Sequence, residues 1–214
     1  DALVVSGVND DVIKPGVRMI SAASCTINAL APVMQILDRN FGIEHAFVTS
    51  VHAYTNDQRL ADVPGKDLRR SRAAAENIIP TDTYSPTAIG AVLPELEGKL
   101  TGMALNVPVP DGSCVDLTCH MERSVTRDEV NEVLRSAALT KYKAIIEYSE
   151  DPLVSSDVIG NSHSAIVDGL ATMVMDGDLL KTIIWYDNGW GYATRVVELM
   201  IRLRDLTEPQ TASH

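Results

Sequence analysis

The order of strand-like and helix-like segments restricts the fold of this sequence more than any other feature. Short runs of alternating apolar and polar residues, or of β-branched residues, recur along the chain, and the helical patterns are segregated from them. This arrangement favours an α+β fold, in which a mixed, mostly antiparallel sheet carries helices on one face. The predicted strands lie within residues 2–11, 44–54, 100–109, 113–122, 164–178 and 179–188.

Four segments are predicted to be helical. The first begins at Cys25, from which apolar residues recur at helical spacing until Asn40 ends the pattern. The helix predicted over residues 126–139 begins with a capping box, because Thr126 stands three residues before Glu129. The other two helices are predicted over residues 87–96 and 191–206.

Charge and hydropathy exclude two classes of partner. The 214 residues carry a formal net charge of -11, which disfavours nucleic acid because affinity for a phosphate backbone rests mostly on cationic side chains. No apolar run approaches the ~20 residues that a membrane span requires, and the start has no basic leader pattern. We therefore expect a cytoplasmic protein that binds neither nucleic acid nor membrane.

The cysteines and histidines indicate free thiols and no metal site. Cys25, Cys114 and Cys119 form no Cys-x-x-Cys pair, and their odd number suits a reducing compartment better than a set of disulfides. The five histidines lack the helical spacing of zinc ligands.

Cys25 allows two interpretations. It lies in the first turn of a predicted helix, where unpaired backbone N–H groups and the helix dipole favour a thiolate and lower the thiol pKa. His52, at the end of a predicted strand, could activate it as a nucleophile. Alternatively Cys25 is a small core residue and His52 a hydrogen-bonded strand histidine, and spacing alone favours this plainer interpretation.

Two polar segments also allow two interpretations each. Residues 55–72 form a long polar loop, and such loops usually bind a ligand or another subunit. The arginines of this loop, Arg69, Arg70 and Arg72, are either a solvated or subunit-facing patch or an anion site. Asn188 and the preceding aspartate either cap the last helix or contact a ligand.

Six motifs, in order, resemble the catalytic domain of the glyceraldehyde-3-phosphate dehydrogenase family. The resemblance runs from about Val5 to about Met200 and makes the nucleophile interpretation of Cys25 the favoured one. It implies that the fold is that catalytic domain, which is an α+β fold. The motifs are SAASCTIN, SVHAYTNDQ, DLRRSRAAAENIIPT, LPELEGKLTGMA, PLVSSD and WYDNGWGY.

The resemblance also implies roles for individual residues. Cys25 would add to an aldehyde and then carry a thioester, and His52 would act as the base. Asn188 would hold the nicotinamide of NAD or NADP. The substrate phosphate, or the attacking inorganic phosphate, would be bound by Ser24, Thr26, Thr55, Arg70 and Thr83.

Domain organisation is likewise inferred from the resemblance. Residues 1–214 would be the catalytic domain, with residues 1–24 as the tail of a dinucleotide-binding domain and residues 189–206 as a helix that packs on it. The sequence has no Gly-x-Gly-x-x-Gly after a strand, so the isolated chain is expected to bind NAD poorly and to be inactive. The family assembles as a homotetramer through a loop that corresponds to residues 56–72.

Several positions depart from the family pattern. Asn106 replaces an arginine of the phosphate sites, Tyr84 replaces a glycine and Thr87 a lysine, whereas Gly189 and Ala29 are milder changes. An asparagine cannot supply the cationic fork of an arginine. Two functions therefore stay open: a catalytic domain with an altered, less charged aldehyde substrate or with water as acyl acceptor, and a non-catalytic binding or assembly module descended from that domain.

Overall fold

A seven-stranded mixed sheet forms the centre of the protein. The computed structural model describes residues 2–207. The strands of this sheet are β3 (Ile43–Ala53), β4 (Ile79–Thr81), β5 (Leu100–Val107), β6 (Ser113–Met121), β7 (Ile146–Ser149), β8 (Ala165–Met175) and β9 (Leu179–Tyr186), in the order β4-β5-β3-β6-β9-β8-β7. The pairs β3–β5 and β7–β8 are parallel and the other neighbours are antiparallel, which confirms the predicted α+β class.

Three helices pack on one face of this sheet, and the last helix packs on the first of them. They are α1 (Cys25–Phe41), α2 (Ser85–Val92), α3 (Arg127–Leu139) and α4 (Trp190–Thr207). The helix α1 contacts β3, β6, β8 and β9, and its buried side chains form the middle of the main apolar core. The predicted capping box is present at α3, where Thr126 and Glu129 bind each other's backbone N–H groups. Within residues 2–207, no helix is both long and apolar enough to cross a bilayer.

Two predicted segments differ in detail from the structure. The run over residues 2–11 contributes only the strand β1 (Ala2–Leu3), which pairs in parallel with β2 (Ile20–Ser21), because a turn and a short 3-10 helix follow it. The helix predicted over residues 87–96 ends at Val92, and Pro94 begins a separate 3-10 turn. Proline disfavours helical backbone in the residue before it, which explains the early end of α2.

The opposite face of the sheet is open. Side chains of β3 alternate between the core and this face, so that Val48 is buried while Phe47 is 66% exposed. Met103 of β5 and Met173 of β8 lie on the same open face and are also exposed. These exposed apolar side chains share the face with the ion-paired Asp116 and Lys181, so the open face is of mixed polarity.

The buried thiols of β6 give the fold a pH dependence. Burial raises the pKa of Cys114 to about 11 and that of Cys119 to about 12. A thiol in the unfolded chain ionises near ~8.5, so these thiols bind protons more tightly when the protein is folded. Their contribution is fully present below that value and is lost as pH rises toward 11 or 12.

We therefore expect the free energy of unfolding to fall above pH ~9 by about 1.4 kcal/mol per pH unit for each buried thiol. Cys119→Ala should remove the pH-dependent loss of unfolding free energy that this one thiol causes. Urea unfolding at pH 7.5 and pH 10 would measure the difference. The matched control is Val115→Ala, which also truncates a buried side chain of β6 but removes no titratable group. An equal loss between the two pH values in the Cys119 variant and the unaltered chain would contradict this assignment.

Candidate active site

Cys25 is held at the first turn of α1 by the segment that precedes it. The hydroxyl of Ser24 accepts a hydrogen bond from the backbone N–H of Ile27 at 3.2 Å and so caps the helix. The side chain of Asn28 donates to the carbonyls of residues 22 and 24, which ties the approach segment to the helix. Ala23 has a φ of 59°, a strained conformation for a residue other than glycine. The thiol is therefore presented by a segment with a fixed backbone.

His52 contacts this thiol. It lies next to the last residue of β3, and its Nε2 is 3.4 Å from the Sγ of Cys25. Its Nδ1 lies 2.7 Å from the carbonyl oxygen of Ala53, so Nδ1 carries the hydrogen and the Nε2 of the neutral ring can accept a proton from the thiol. The two residues that spacing alone could not connect thus form a nucleophile–base pair.

The thiol of Cys25 is neutral at rest. Burial raises its pKa, and the carboxylate of Asp111 acts in the same direction. Hydrogen bonds from the backbone and hydroxyl of Thr26, and from the backbone N–H of Cys25 itself, lower the pKa but do not offset the burial. This direction is opposite to the lowered pKa expected from the helix N-terminus. Formation of the thiolate therefore depends on transfer of the proton to His52.

Buried hydroxyl groups form the floor beneath the thiol. The hydroxyl of Thr26 lies 2.9 Å from the hydroxyl of Tyr186, which is also 3.2 Å from that of Ser50. Tyr186 is buried, which raises its pKa, and its ring meets that of His52 edge to face with centroids 6.0 Å apart. The hydroxyl of Thr26, predicted to bind phosphate, is thus engaged inside the protein.

Asn188 is oriented by a hydrogen-bonded chain from β3. The backbone N–H of Ala53 donates to the hydroxyl of Ser113 at 3.0 Å, and that hydroxyl donates to Oδ1 of Asn188 at 2.8 Å. The Nδ2 group of Asn188 remains as a donor. This donor fits the carbonyl oxygen of a nicotinamide carboxamide, so the residues present are compatible with the predicted cofactor.

The neighbouring Asp187 caps the last helix, which is the first of the two roles considered for it. Its Oδ1 accepts hydrogen bonds from the backbone N–H groups of Gly189 and Trp190 at 2.7 and 2.6 Å, and its Oδ2 accepts one from Gly160 at 2.7 Å. It caps α4 and fixes the adjacent loop.

Within the loop of residues 55–72, Thr55 and Arg70 share one partner. The hydroxyl of Thr55 donates to one oxygen of Asp57, and the guanidinium of Arg70 donates to the other. The hydrogen bond from Thr55 and the charge of Arg70 hold the pKa of Asp57 below its ordinary value. Arg72 pairs with Asp62 at 3.3 Å. Two of the three predicted loop arginines are therefore neutralised by carboxylates of the same loop.

The remaining predicted phosphate residue and one of the two main departures lie between β4 and α2, and the other departure lies on β5. Thr83 donates to the hydroxyl of Ser85 at 2.9 Å, and Tyr84 directly precedes α2 with 61% of its surface exposed. Asn106 lies on β5 in register with His52. The position that replaces the family arginine is therefore next to the base.

Five residues of the site were missed by sequence reasoning: Ser50, Asp57, Asp111, Ser113 and Tyr186. Ser113 and Tyr186 occupy inward positions of strands, and a polar residue at such a position must find a partner. Polar residues at inward strand positions could therefore have indicated a buried hydrogen-bond network. Asp57 and Asp111 lie in loops, where the sequence carries no periodic signal.

Comparisons with known proteins agree with the resemblance. The family model described as the glyceraldehyde 3-phosphate dehydrogenase C-terminal domain matches residues 24–188. The chain is 55% identical over 202 residues to glyceraldehyde-3-phosphate dehydrogenase of Borreliella burgdorferi, and 52% identical over 200 residues to that of Geobacillus stearothermophilus. These matches cover 94% and 93% of the chain, and the chain spans 60% of the length of each relative.

The contact between Cys25 and His52 predicts how Cys25 reacts. His52→Asn is expected to slow alkylation of Cys25 by iodoacetamide at pH 7 at least ~10-fold, because the thiol loses its proton acceptor. The rates should converge only in more alkaline solution, above the raised pKa of the Cys25 thiol, where hydroxide removes the proton. Mass spectrometry of the Cys25 peptide between pH 5 and 10 measures this.

The matched control for this experiment is His120→Asn, because His120 lies on β6 and pairs with Glu44 at the protein surface. In this control variant, Cys25 should be alkylated at the same rate as in the unaltered chain. Equal rates for the His52 and His120 variants at pH 7 would show that Cys25 is an unactivated thiol.

Proposed function

The chain belongs to the glyceraldehyde-3-phosphate dehydrogenase family, and we propose that it is the catalytic domain of an enzyme that oxidises an aldehyde with NAD or NADP. The observation that carries this proposal is the 3.4 Å contact between the Sγ of Cys25 and the Nε2 of His52. A partly buried thiol in contact with the free nitrogen of an oriented imidazole suits nucleophilic catalysis. The neighbouring donor group of Asn188 supports the use of a nicotinamide cofactor.

In the proposed reaction, the thiol of Cys25 gives its proton to Nε2 of His52 as Sγ bonds to the aldehyde carbon. The backbone N–H of Cys25 and the protonated ring of His52 stabilise the oxyanion that forms. The ring then returns that proton to the oxyanion, which completes the thiohemiacetal. His52 takes the hydroxyl proton again as hydride leaves the same carbon, so that a thioester remains on Cys25. A nicotinamide held by Asn188 would accept that hydride. The acyl group finally passes to phosphate or water.

We propose that most of the cofactor is held by a dinucleotide-binding domain, for which residues 1–24 form the tail and residues 189–206 the packing surface. The surface of α4 supports this, since Val197, Met200 and Ile201 are each about half exposed or more. An apolar helix surface of this kind suits contact with another domain. The isolated chain is accordingly proposed to be inactive.

We also propose that the protein is a cytoplasmic homo-oligomer, a tetramer as the resemblance implies. The open sheet face with Phe47, Met103 and Met173 supports a contact between copies, as does the loop of residues 55–72, in which Leu68 is 82% exposed. Free thiols at all three cysteines suit a reducing compartment. The alternative, a non-catalytic assembly module, also uses these surfaces, but it leaves the pairing of Cys25 with His52 unexplained.

The substrate is proposed to be a small aldehyde that carries less charge than glyceraldehyde 3-phosphate. Asn106 stands in register with His52 where the family pattern has an arginine, and an amide cannot make the charge-assisted, bidentate contact of a guanidinium. Tyr84 adds a large side chain where the family pattern has a glycine.

The proposal predicts activity in a complete enzyme. The chain fused behind a dinucleotide-binding domain of the same family should reduce NAD or NADP in the presence of an aldehyde, measured by absorbance of the reduced nicotinamide. Cys25→Ala should abolish this activity, and His52→Asn should lower kcat by ~10² or more, because acid–base catalysis contributes at least that factor. A folded fusion that binds the dinucleotide but turns over no aldehyde would favour the assembly module.

In the same fusion, Asn106→Arg tests the altered substrate. A guanidinium at this position should lower KM for glyceraldehyde 3-phosphate by ~10-fold and leave KM for unphosphorylated glyceraldehyde within ~2-fold, because the gain is specific to the anion. Asn106→Gln is the matched control, since it lengthens the side chain without adding charge. An unchanged KM for the phosphorylated aldehyde would count against the proposal.

A further inference from the structure

The turn between β5 and β6 carries a carboxylate to the edge of the candidate active site. The carbonyl oxygen of Val109 accepts a hydrogen bond at 3.2 Å from the backbone N–H of Tyr54, which stands two residues beyond the base. At the other end of the turn, the hydroxyl of Ser113 donates to Asn188 at 2.8 Å. Asp111 lies midway between these two contacts in the sequence. The turn therefore holds its carboxylate between the base and the residue proposed to bind the nicotinamide.

The backbone of this turn is fixed by close packing. Gly112 has a φ of 82°, and a Cβ atom at this position would overlap the carbonyl oxygen of Ser155. The backbone N–H of Gly112 also donates to Oδ1 of Asp111 at 2.8 Å. Because the turn packs on a neighbouring segment and binds its own side chain, the carboxylate keeps its place beside the site.

The charge of this carboxylate is not neutralised, in contrast to that of Asp187. Both oxygens of Asp187 accept backbone N–H groups, two of which lie at the start of α4. Within residues 2–207, Asp111 accepts its hydrogen bond from Gly112, and no arginine or lysine pairs with it. Its negative charge reaches the thiol of Cys25, whose pKa it raises.

For the thiol alone, this charge is unfavourable. A carboxylate near Cys25 opposes the formation of a second negative charge on the thiolate. A cation bound beside both groups would offset that repulsion. An oxidised nicotinamide ring carries one positive charge, whereas the reduced ring carries none. A carboxylate close to Asn188 therefore favours the oxidised ring, which is the form that accepts hydride, and the charge of that ring in turn favours the thiolate.

From these contacts we propose that Asp111 is a specificity-determining residue, which gives the site a negative potential and so favours a cationic ring at Asn188 over a neutral or anionic group. This inference rests on the proposed function for the identity of the ring. In a plainer role, Asp111 only closes its turn, with Oδ1 bound to the N–H of Gly112. Asparagine keeps that oxygen and removes the charge, so Asp111→Asn distinguishes the two roles.

The experiment compares two thiol reagents of opposite charge on the 214-residue chain. The reagents are 2-(trimethylammonium)ethyl and 2-sulfonatoethyl methanethiosulfonate. With each of them, Sγ of the thiolate bonds to the reagent sulfur and methanesulfinate leaves. Mass spectrometry of the Cys25 peptide gives both rates at pH 7 and low ionic strength, relative to a small thiol. The ratio of the two rates cancels any change in the thiolate fraction.

We expect Asp111→Asn to lower the ratio of cation rate to anion rate at least ~3-fold, because one negative charge near the thiol is removed. Salt at ~0.5 M should lower the ratio of the unaltered chain in the same direction, since it screens that charge. Circular dichroism and cooperative urea unfolding establish that each variant is folded, and Asp111→Ser replaces Asp111→Asn if that variant is not.

The matched control is Asp178→Asn, which removes the same charge at the other end of β6. The carbonyl of Asp178 binds the backbone N–H of Met121, the last residue of β6, whereas Ser113 is the first. These two strand ends are ~26 Å apart, so the control should leave the rate ratio within ~1.5-fold of the unaltered chain. A ratio that Asp111→Asn leaves unchanged, or that Asp178→Asn lowers as much, would overturn the proposal.

A second measurement separates this inference from the proposed function. The cation 1-methylnicotinamide and its neutral counterpart nicotinamide are each tested for protection of Cys25 against iodoacetamide. In the unaltered chain the cation should protect at concentrations at least ~3-fold lower, and Asp111→Asn should remove this preference. Equal protection by the two compounds in the unaltered chain, or a preference that survives the substitution, would overturn the role of Asp111. Failure of both to protect would contradict the proposed nicotinamide site, while the rate ratio would still decide whether Asp111 sets the potential.

Discussion

The packing of α1 on the sheet is the constraint on which the rest of the structure depends. Of its 17 residues, 13 are buried, so that this helix is surrounded by protein on almost every side. Each fully buried Leu, Ile or Met side chain contributes ~1.5–3 kcal/mol, which makes any shift of the helix along the sheet costly. Because Cys25 is the first residue of α1 and His52 is next to the last of β3, the same packing fixes the 3.4 Å contact between them.

That packing also sets the chemistry of the thiol. Burial keeps Cys25 protonated, and the hydroxyl of Thr26 donates to it from a buried network with Tyr186 and Ser50. Hydrogen-bond donors held in advance need no reorganisation when charge develops. A neutral thiol reacts slowly with electrophiles in general. Cys25 becomes a strong nucleophile only as its proton moves to His52, which is in contact with it.

Local signals in the sequence predicted most of the elements, and their pairing followed from tertiary structure. The start of α1 at Cys25 and the capping box of Thr126 with Glu129 depend on neighbours within four residues, and both were predicted correctly. The strands within residues 100–109 and 113–122 were also predicted, but β3 lies between β5 and β6 in the sheet, which no local pattern indicates. The same limit holds in the site. Cys25 and His52 are 27 residues apart in the sequence. Their spacing could indicate them as a candidate nucleophile and base, but it could not show that their side chains are in contact.

The groups proposed for thiol chemistry and the loop residues proposed to bind phosphate lie in different kinds of structure. Cys25, His52 and Tyr186 are held by core packing and by buried hydrogen bonds, in which a change of one group costs stability as well as activity. Thr55, Asp57 and Arg70 lie in an exposed loop, where exchange of one side chain leaves the core packing intact.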